Sequence, residues 1–205
     1  ALKNDKDVFI EKPFCLSLTD AQKLSEIATN RNRILMIGHL LNYHNAFVKM
    51  KQLIKNGKIG VPQNIRANRL ALGTIRSEES VIYDLSAHDI SMILSITGEL
   101  PIDVNVQSIH HHNNIGPDAI CVKLLFSRGL TALVNSDWMC PYKEHKFSAI
   151  GTKGSLIFDD TKPWSEKLLY DPSFVTSNNA IESLPIEKIK IQENEPLKSE
   201  LNEFI

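Results

Sequence analysis

Two kinds of apolar pattern alternate along the first forty residues. Val8 to Ile10 form a short apolar run halted by Pro13, which reads as a β-strand. Ala21, Leu24, Ile27 and Ala28 then recur at helical spacing. Thr19, with Gln22 three residues on, has the form of a cap at the start of that helix. "ILMIGH" is a continuous apolar run of strand length, the kind buried on both faces of a parallel sheet. Residues 8 to 38 therefore predict strand, helix, strand: one right-handed βαβ unit of a larger parallel sheet.

In "NAFVKMKQLIKNGKIG", Phe47, Met50, Leu53 and Ile54 share one face and Gly57 is placed to end the helix. "VPQNIRANRLAL" reads as a strand with mixed faces, and "VIYDLSAHDISMIL" as a helix closed by Gly98. The pattern then changes. "IDVNVQSIH", "AICVKLLFS", "LTALVNSDW", "HKFSAIG" and "SLIFDD" are short strands set off by turn residues such as "SRG" and "GTKG". Short connections favour antiparallel pairing. Residues 102 to 159 thus predict an open, mainly antiparallel sheet with helices on one face, an α+β fold. Residues 120 to 138 are apolar on both alternations, so the other face is expected to pack against another copy as a homodimer or tetramer. The polar stretch from Trp164 to Pro196 reads as irregular surface chain before a last amphipathic helix, "PLKSELNEFI". The chain opens without Met and closes with no helix-stop residue; both ends read as cut from a longer polypeptide.

Composition narrows the classes. A hydrophobic fraction of 42% and a formal net charge of −1 over 205 residues suit an ordinary globular protein. That charge gives no reason to expect nucleic acid or an acidic membrane as partner. No apolar run approaches the ~18–20 residues that span a bilayer, and the N-terminus lacks the apolar core of a signal peptide. Cys15, Cys121 and Cys140 are widely spaced, with no CxxC pair. They read as buried free thiols in a reducing cytoplasm, not as a disulfide framework or a metal site.

Three places carry chemistry. Asp84 and His88 are four residues apart, one helical turn, inside an otherwise apolar segment. Such a carboxylate can orient the imidazole, or bind a hydroxyl beside one the imidazole deprotonates. The same spacing also suits a capping Asp84 and a satisfied, half-buried His88. Glu11-Lys12-Pro13 follows an apolar strand, so Lys12 falls at the strand's carboxyl end, where open α/β sheets bind ligands. Pro13 holds Lys12 extended. On spacing alone a solvated turn lysine is the favoured reading. His39 ends the next strand on the same edge, with the same two readings. His110, His111 and His112 are consecutive and alternate faces in a strand, so they cannot chelate one metal together; no metal is expected. No G-x-G-x-x-G or G-x-x-x-x-G-K occurs, so the chain shows no phosphate-cradling loop.

"DVFIEKPFCLSLTDAQKLSEIA", "ILMIGHLLNYHNAFVKMKQLIKNGKIG", "YDLSAHDISMIL" and "AIGTKGSL", in that order, resemble the Gfo/Idh/MocA family of NAD(P)-dependent sugar oxidoreductases. The resemblance runs over nearly the whole chain. It implies that residues 1–38 are the last βαβ portion of a Rossmann-type dinucleotide-binding domain and residues 39–205 an α+β substrate and oligomerisation domain. It implies NAD or NADP as cofactor, with Glu11, Lys12 and Pro13 beside it, and a sugar or sugar nucleotide held by Lys12, Asp84 and His88. In that scheme His88 is the general base, Asp84 binds hydroxyls and Lys12 lies by the reacting oxygen. The glycine-rich first half of the family's Rossmann domain is absent from this sequence, so the chain alone is expected to be inactive. The alternatives are a non-catalytic sugar-binding and dimerisation module and, less favoured, a metal-free hydrolase built on Asp84 and His88.

Overall fold

The computed structural model describes residues 1–73, 75–76, 78–110, 116–176 and 178–205. Strand β1 (Val8–Glu11), helix α1 (Leu18–Asn30) and strand β2 (Leu35–Gly38) form the expected βαβ unit. β1 and β2 pair in parallel, from Val8 opposite Leu35 to Glu11 opposite Gly38. The start of α1 differs from expectation. Ser17, not Thr19, is the cap, its hydroxyl accepting from the Asp20 backbone N–H at 3.4 Å, so Thr19 already lies inside the helix.

A one-turn 3₁₀ segment, Leu40–Tyr43, leads into α2 (Asn45–Lys55), and Gly57 follows at φ 75°, a left-handed turn that a side chain would resist. β3 (Pro62–Leu70) comes next. A single π-helical turn, Ile82–Ser86, runs directly into α3 (Ala87–Thr97), which Gly98 closes at φ 67°. The remaining strands are β4 (Asp103–Ile109), β5 (Ala119–Leu125), β6 (Thr131–Asp137), β7 (Glu144–Gly151), β8 (Gly154–Asp159), β9 (Leu168–Asp171), β10 (Phe174–Val175), β11 (Ile181–Glu182) and β12 (Glu187–Lys188). Helix α4 (Pro196–Phe204) returns to the βαβ unit, where the Phe204 and Phe9 rings lie 5.8 Å apart.

Eight strands form one sheet in the order β12-β9-β8-β7-β3-β6-β5-β4. Two features depart from expectation. β3 is a central strand, and its pairing with β6 is parallel, the single parallel ladder in that sheet. The polar stretch after Trp164 also contributes to the sheet: β9 buries Leu168 and Tyr170, and β12 pairs with it.

One face of the sheet carries the core in cross-strand rows. Leu124, Ala132, Ile65, Ala149, Leu156 and Tyr170 make one row; Val122, Val134, Ala67, Phe147, Phe158 and Leu168 make the next. Phe47 and Met50 of α2 and Met92 and Ile93 of α3 cover them, all fully buried. Burying each such side chain contributes roughly 1.5–3 kcal/mol before ordering costs. The other face is mixed. Leu125, Leu133, Ile150, Ile157 and Leu169 lie on it partly exposed, Cys121 and Lys123 are exposed, and the central strands carry an amide ladder. Asn64 donates to Thr131 Oγ1 at 2.8 Å, Asn135 to Asn68 at 2.8 Å, and Asn68 to Glu144 at 2.9 Å. Of the three cysteines only Cys140 is buried; Cys15 is partly exposed and Cys121 exposed on the open face, so the expectation of three core thiols fails for two.

Candidate active site

The third row of the helix-covered face is where the core ends. Two residues beyond the Val134–Ala67–Phe147 row, the register brings Ser136, Arg69 and His145 side by side. Asp160 adjoins them, its N–H bonded to the His145 carbonyl. This polar row lies at the carboxyl ends of the parallel strands β3 and β6. The π turn and the first turn of α3 sit on it. Ser86 donates to Ser136 Oγ at 2.8 Å. Arg69 clamps Asp89 with two bonds, Nε to Oδ2 at 3.0 Å and Nη2 to Oδ1 at 2.9 Å. Arg69 is 8% exposed and Asp89 1%.

The carboxyl end of β1 reaches the same place. Lys12 Nζ donates to the Asp84 carbonyl at 2.7 Å and to its Oδ1 at 3.3 Å. The Lys12–Pro13 peptide is cis. The other Asp84 oxygen accepts from Trp138 Nε1 at 3.0 Å, and Arg76 Nε lies 3.8 Å from Oδ1. Asp84 therefore anchors a lysine and an indole and has no hydrogen bond to His88 among the described residues. Orientation of the imidazole by Asp84, one of the two roles their spacing suggested, is not what the geometry gives.

His88 lies in the first turn of α3, fixed through its backbone: Ser91 Oγ donates to its carbonyl at 2.7 Å, and Asn42 Nδ2 donates to Ser91 Oγ at 3.2 Å. Its Nδ1 is buried without a hydrogen-bond partner. Burial, then the charges of Arg69 and Lys12, then His39 depress its pKa to about 3, against a weaker opposing pull from Asp84. His39 lies beside it at the end of β2. Its Nδ1 is also buried and unpartnered, and its pKa is lowered by burial, with Glu11 opposing and Lys12 assisting. Glu200 of α4 is 0% exposed, and burial raises its pKa against a hydrogen bond from the His39 backbone.

Lys12, Asp84 and His88 thus converge from β1, the π turn and α3. Glu11 and Pro13 stay on the β1 edge beside His39. Sequence reasoning missed Trp138 and Arg69, the partner of Asp89. Arg69 was detectable: Ile65, Ala67 and Arg69 share one alternation, so its charge falls on the buried phase. His110 is exposed past β4, its Nε2 3.3 Å from Ser108 Oγ; His111 and His112 lie outside the described residues. Among the described residues no group of three or more His, Cys, Asp or Glu side chains is arranged to hold a metal ion, and no helix is long and apolar enough to cross a membrane.

Residues 47–157 match the GFO/IDH/MocA C-terminal domain, and residues 1–39 match the oxidoreductase family's NAD-binding Rossmann fold. The chain belongs to the GFO/IDH/MocA family. It is 37% identical over 101 residues to UDP-N-acetylglucosamine 3-dehydrogenase of Acidithiobacillus ferrooxidans, covering 49% of this chain and 31% of that protein. It is 28% identical over 171 residues to myo-inositol 2-dehydrogenase of Thermotoga maritima, covering 78% of this chain and 51% of that one. The chain thus spans about half or less of the curated relatives it matches. Its fold superposes on a crystal structure of the Acidithiobacillus ferrooxidans enzyme with a TM-score of 0.83 at 23% identity, covering 100% of this chain and 63% of that chain. It superposes on an inositol dehydrogenase homolog from Azotobacter vinelandii, complexed with NADH and myo-inositol, with a TM-score of 0.78 at 18% identity, covering 100% of this chain and 59% of that chain.

Proposed function

We propose that this chain is the substrate-binding part, with the adjoining edge of the cofactor domain, of an NAD(P)-dependent dehydrogenase that oxidises a hydroxyl of a sugar or sugar nucleotide. One observation carries the reading: Lys12, just past the end of β1, is bonded to Asp84 of the π turn, one turn before a His88 that burial and nearby charges keep neutral. The division of the chain falls after residue 38, where the parallel pair ends.

The β1 edge suits a nicotinamide. It places the Lys12 ammonium between Glu11 and Pro13 at the strand end. Bound nicotinamide supplies the acceptor for the hydride leaving the sugar carbon. The remaining chemistry belongs to the chain. As that carbon becomes a carbonyl carbon, its hydroxyl proton passes to His88 Nε2. The imidazole stays unprotonated down to about pH 3 in the free site, so it is always ready to accept but is a weak base. The hydroxyl must therefore be acidified, and the Lys12 ammonium does this by stabilising the negative charge developing on its oxygen. Asp84 binds neighbouring hydroxyls and fixes Lys12.

In the full-length protein, His88→Ala should lower turnover by about 10²–10⁴, the usual size of a general-base contribution. The assay pairs NAD and NADP with a panel of free sugars, cyclitols and UDP-sugars. Unchanged turnover in the variant would remove His88 from the chemistry. The same reading has a second copy covering the amide-laddered open face, giving a homodimer or tetramer. Sedimentation should then show association that charge substitutions at Asn68 and Asn135 weaken; a monomer at all concentrations argues against it. Three unpaired thiols suit a reducing cytoplasm.

A further inference from the structure

We infer that helix α4 is a clasp: it grips the strand that carries Lys12 and the turn that braces His88, and so sets where Lys12 stands relative to Asp84 and His88. Phe204 and Asn194 are its positioning residues, on the reading of Lys12, Asp84 and His88 as one site.

Lys12 belongs to the βαβ unit, whereas Asp84 and His88 lie on the large sheet. Among the described residues β1 and β2 form a sheet of their own, with no ladder to the eight-stranded one. Backbone pairing therefore does not fix the lysine against the carboxylate. α4 ties the two parts together. Toward the βαβ unit, the Phe204 ring meets Phe9 of β1 at 5.8 Å with the planes 59° apart, a favourable aromatic contact. Phe9 stands three residues before Lys12 on the same strand. Its ring is laid over Gly38 of β2, where a side-chain carbon would meet it at 3.1 Å and Glu11 Oε2 at 3.0 Å. A shift of Phe9 is thus a shift of the strand end.

Toward the substrate domain the grip is made of hydrogen bonds. Asn194, just before α4, donates to the Tyr43 carbonyl at 2.9 Å and accepts from the Asn45 N–H at 3.1 Å. Asn45 returns a bond to the Gln192 carbonyl at 2.9 Å. Asn194 also donates to Ser199 Oγ at 3.0 Å, which fastens this loop to the first turn of α4. The helix packs along the 40–43 turn. From that turn Asn42 reaches Ser91, and Ser91 the His88 carbonyl. A helix that merely covered the core would bury its leucines. Here Leu197 and Leu201 are exposed, while Glu200, one turn before Phe204, is fully buried. Burying a carboxyl costs stability, so this face is built for a particular seat more than for adhesion.

The test acetylates lysines of the full-length protein, free of substrate, with an N-hydroxysuccinimidyl ester and reads each site by peptide mass spectrometry. Exposed Lys23 reports the reagent, and Lys167, buried in the large-sheet domain, reports global opening. Phe204→Ala should speed Lys12 labelling on the order of tenfold, the shift expected from losing one ring contact, with Lys167 unchanged. Phe204→Leu should restore most of the protection. Asn194→Ala removes the other grip without touching apolar packing, and serves if Phe204→Ala does not fold. It should give the same selective rise, by about a few-fold. Turnover should fall in step with Lys12 protection, with a smaller change in the sugar KM. Selective exposure of Lys12 at unchanged turnover would uphold the clasp and tell against the catalytic reading of the site instead. Unchanged Lys12 labelling in Asn194→Ala and in folded Phe204→Ala overturns the proposal. An equal rise at Lys12 and Lys167 would show a general lesion and overturn it too.

Discussion

Two ion pairs flank His88, and they are built differently. Lys12–Asp84 joins two elements through a 2.7 Å bond to the Asp84 carbonyl and a 3.3 Å contact to its carboxylate, with side chains 16% and 13% exposed and further partners of the carboxylate in Trp138 and Arg76. Arg69–Asp89 joins the sheet to α3 with two bonds, side chains 9% and 2% exposed, and fixed geometry. A pair that can be exchanged without unfolding suits a group that must release its partner for substrate. A bidentate buried pair suits a scaffold, because opening it would strand a charge in the core. The difference teaches that charge beside a proposed base can serve the reaction or serve the frame, and that burial with geometry separates the two.

The largest expected effect attacks the frame. Asp89→Ala leaves Arg69 buried and uncompensated, which should destabilise the fold by about 3–5 kcal/mol in chemical denaturation. The apolar double Arg69→Met/Asp89→Leu should recover most of that loss. If Asp89→Ala costs no more than a surface substitution, the buried pair is as exchangeable as the cleft pair and the contrast disappears.

The next effect probes the histidine between the pairs. His88 has a folded pKa of about 3, below its ordinary value of 6.5. Between those values the unfolded chain binds a proton that the folded chain does not. Stability is therefore fully present above about pH 6.5 and falls by about 1.4 kcal/mol per pH unit below it for this one side chain. His39, His44 and His145 are lowered as well and add to the slope in the same direction. Asp160 is held low against its burial by Lys167, so its contribution is lost only at more acid pH. Glu200, raised by burial, works oppositely. Urea midpoints from pH 7.5 to 5 should fall in the parent and fall less in His88→Asn. Parallel slopes would show that the pairs do not hold the imidazole neutral.

How much of this was legible in the sequence depends on the range of each contact. Lys12, Asp84 and His88 were singled out by local signals, a proline after a strand-end lysine and two polar residues one turn apart in an apolar helix, while their proposed roles came only from the family resemblance. The βαβ unit and the short strands were legible from local pattern as well. Arg69–Asp89 spans β3 to α3, and nothing in the local pattern names the partner of a buried charge. The parallel β3–β6 ladder is invisible likewise, since it is closed only after α3, β4 and β5 have intervened. β9 escaped because "LLY" is too short a run to stand out from the polar chain around it. Ser17 and Thr19 are both sound caps two residues apart, and apolar periodicity does not choose between them.

The smallest effect on stability should come from the cleft pair, and it sharpens the contrast most. Lys12→Met removes one ammonium, but Asp84 keeps the Trp138 bond at 3.0 Å and the nearby Arg76 guanidinium. The methionine preserves most of the apolar stem. The loss should stay below about 1 kcal/mol, the usual size for a partly exposed pair. Turnover of the full-length protein should nevertheless fall by about 10²–10³, as when one group stabilising a developing oxyanion is removed. The two readouts must separate: stability nearly untouched, chemistry strongly reduced. A stability loss approaching that of Asp89→Ala would mean that Lys12 belongs to the frame. Turnover within a factor of a few of the parent would mean that the ammonium does not meet the reacting oxygen, leaving His88 to act on a hydroxyl acidified by some other group.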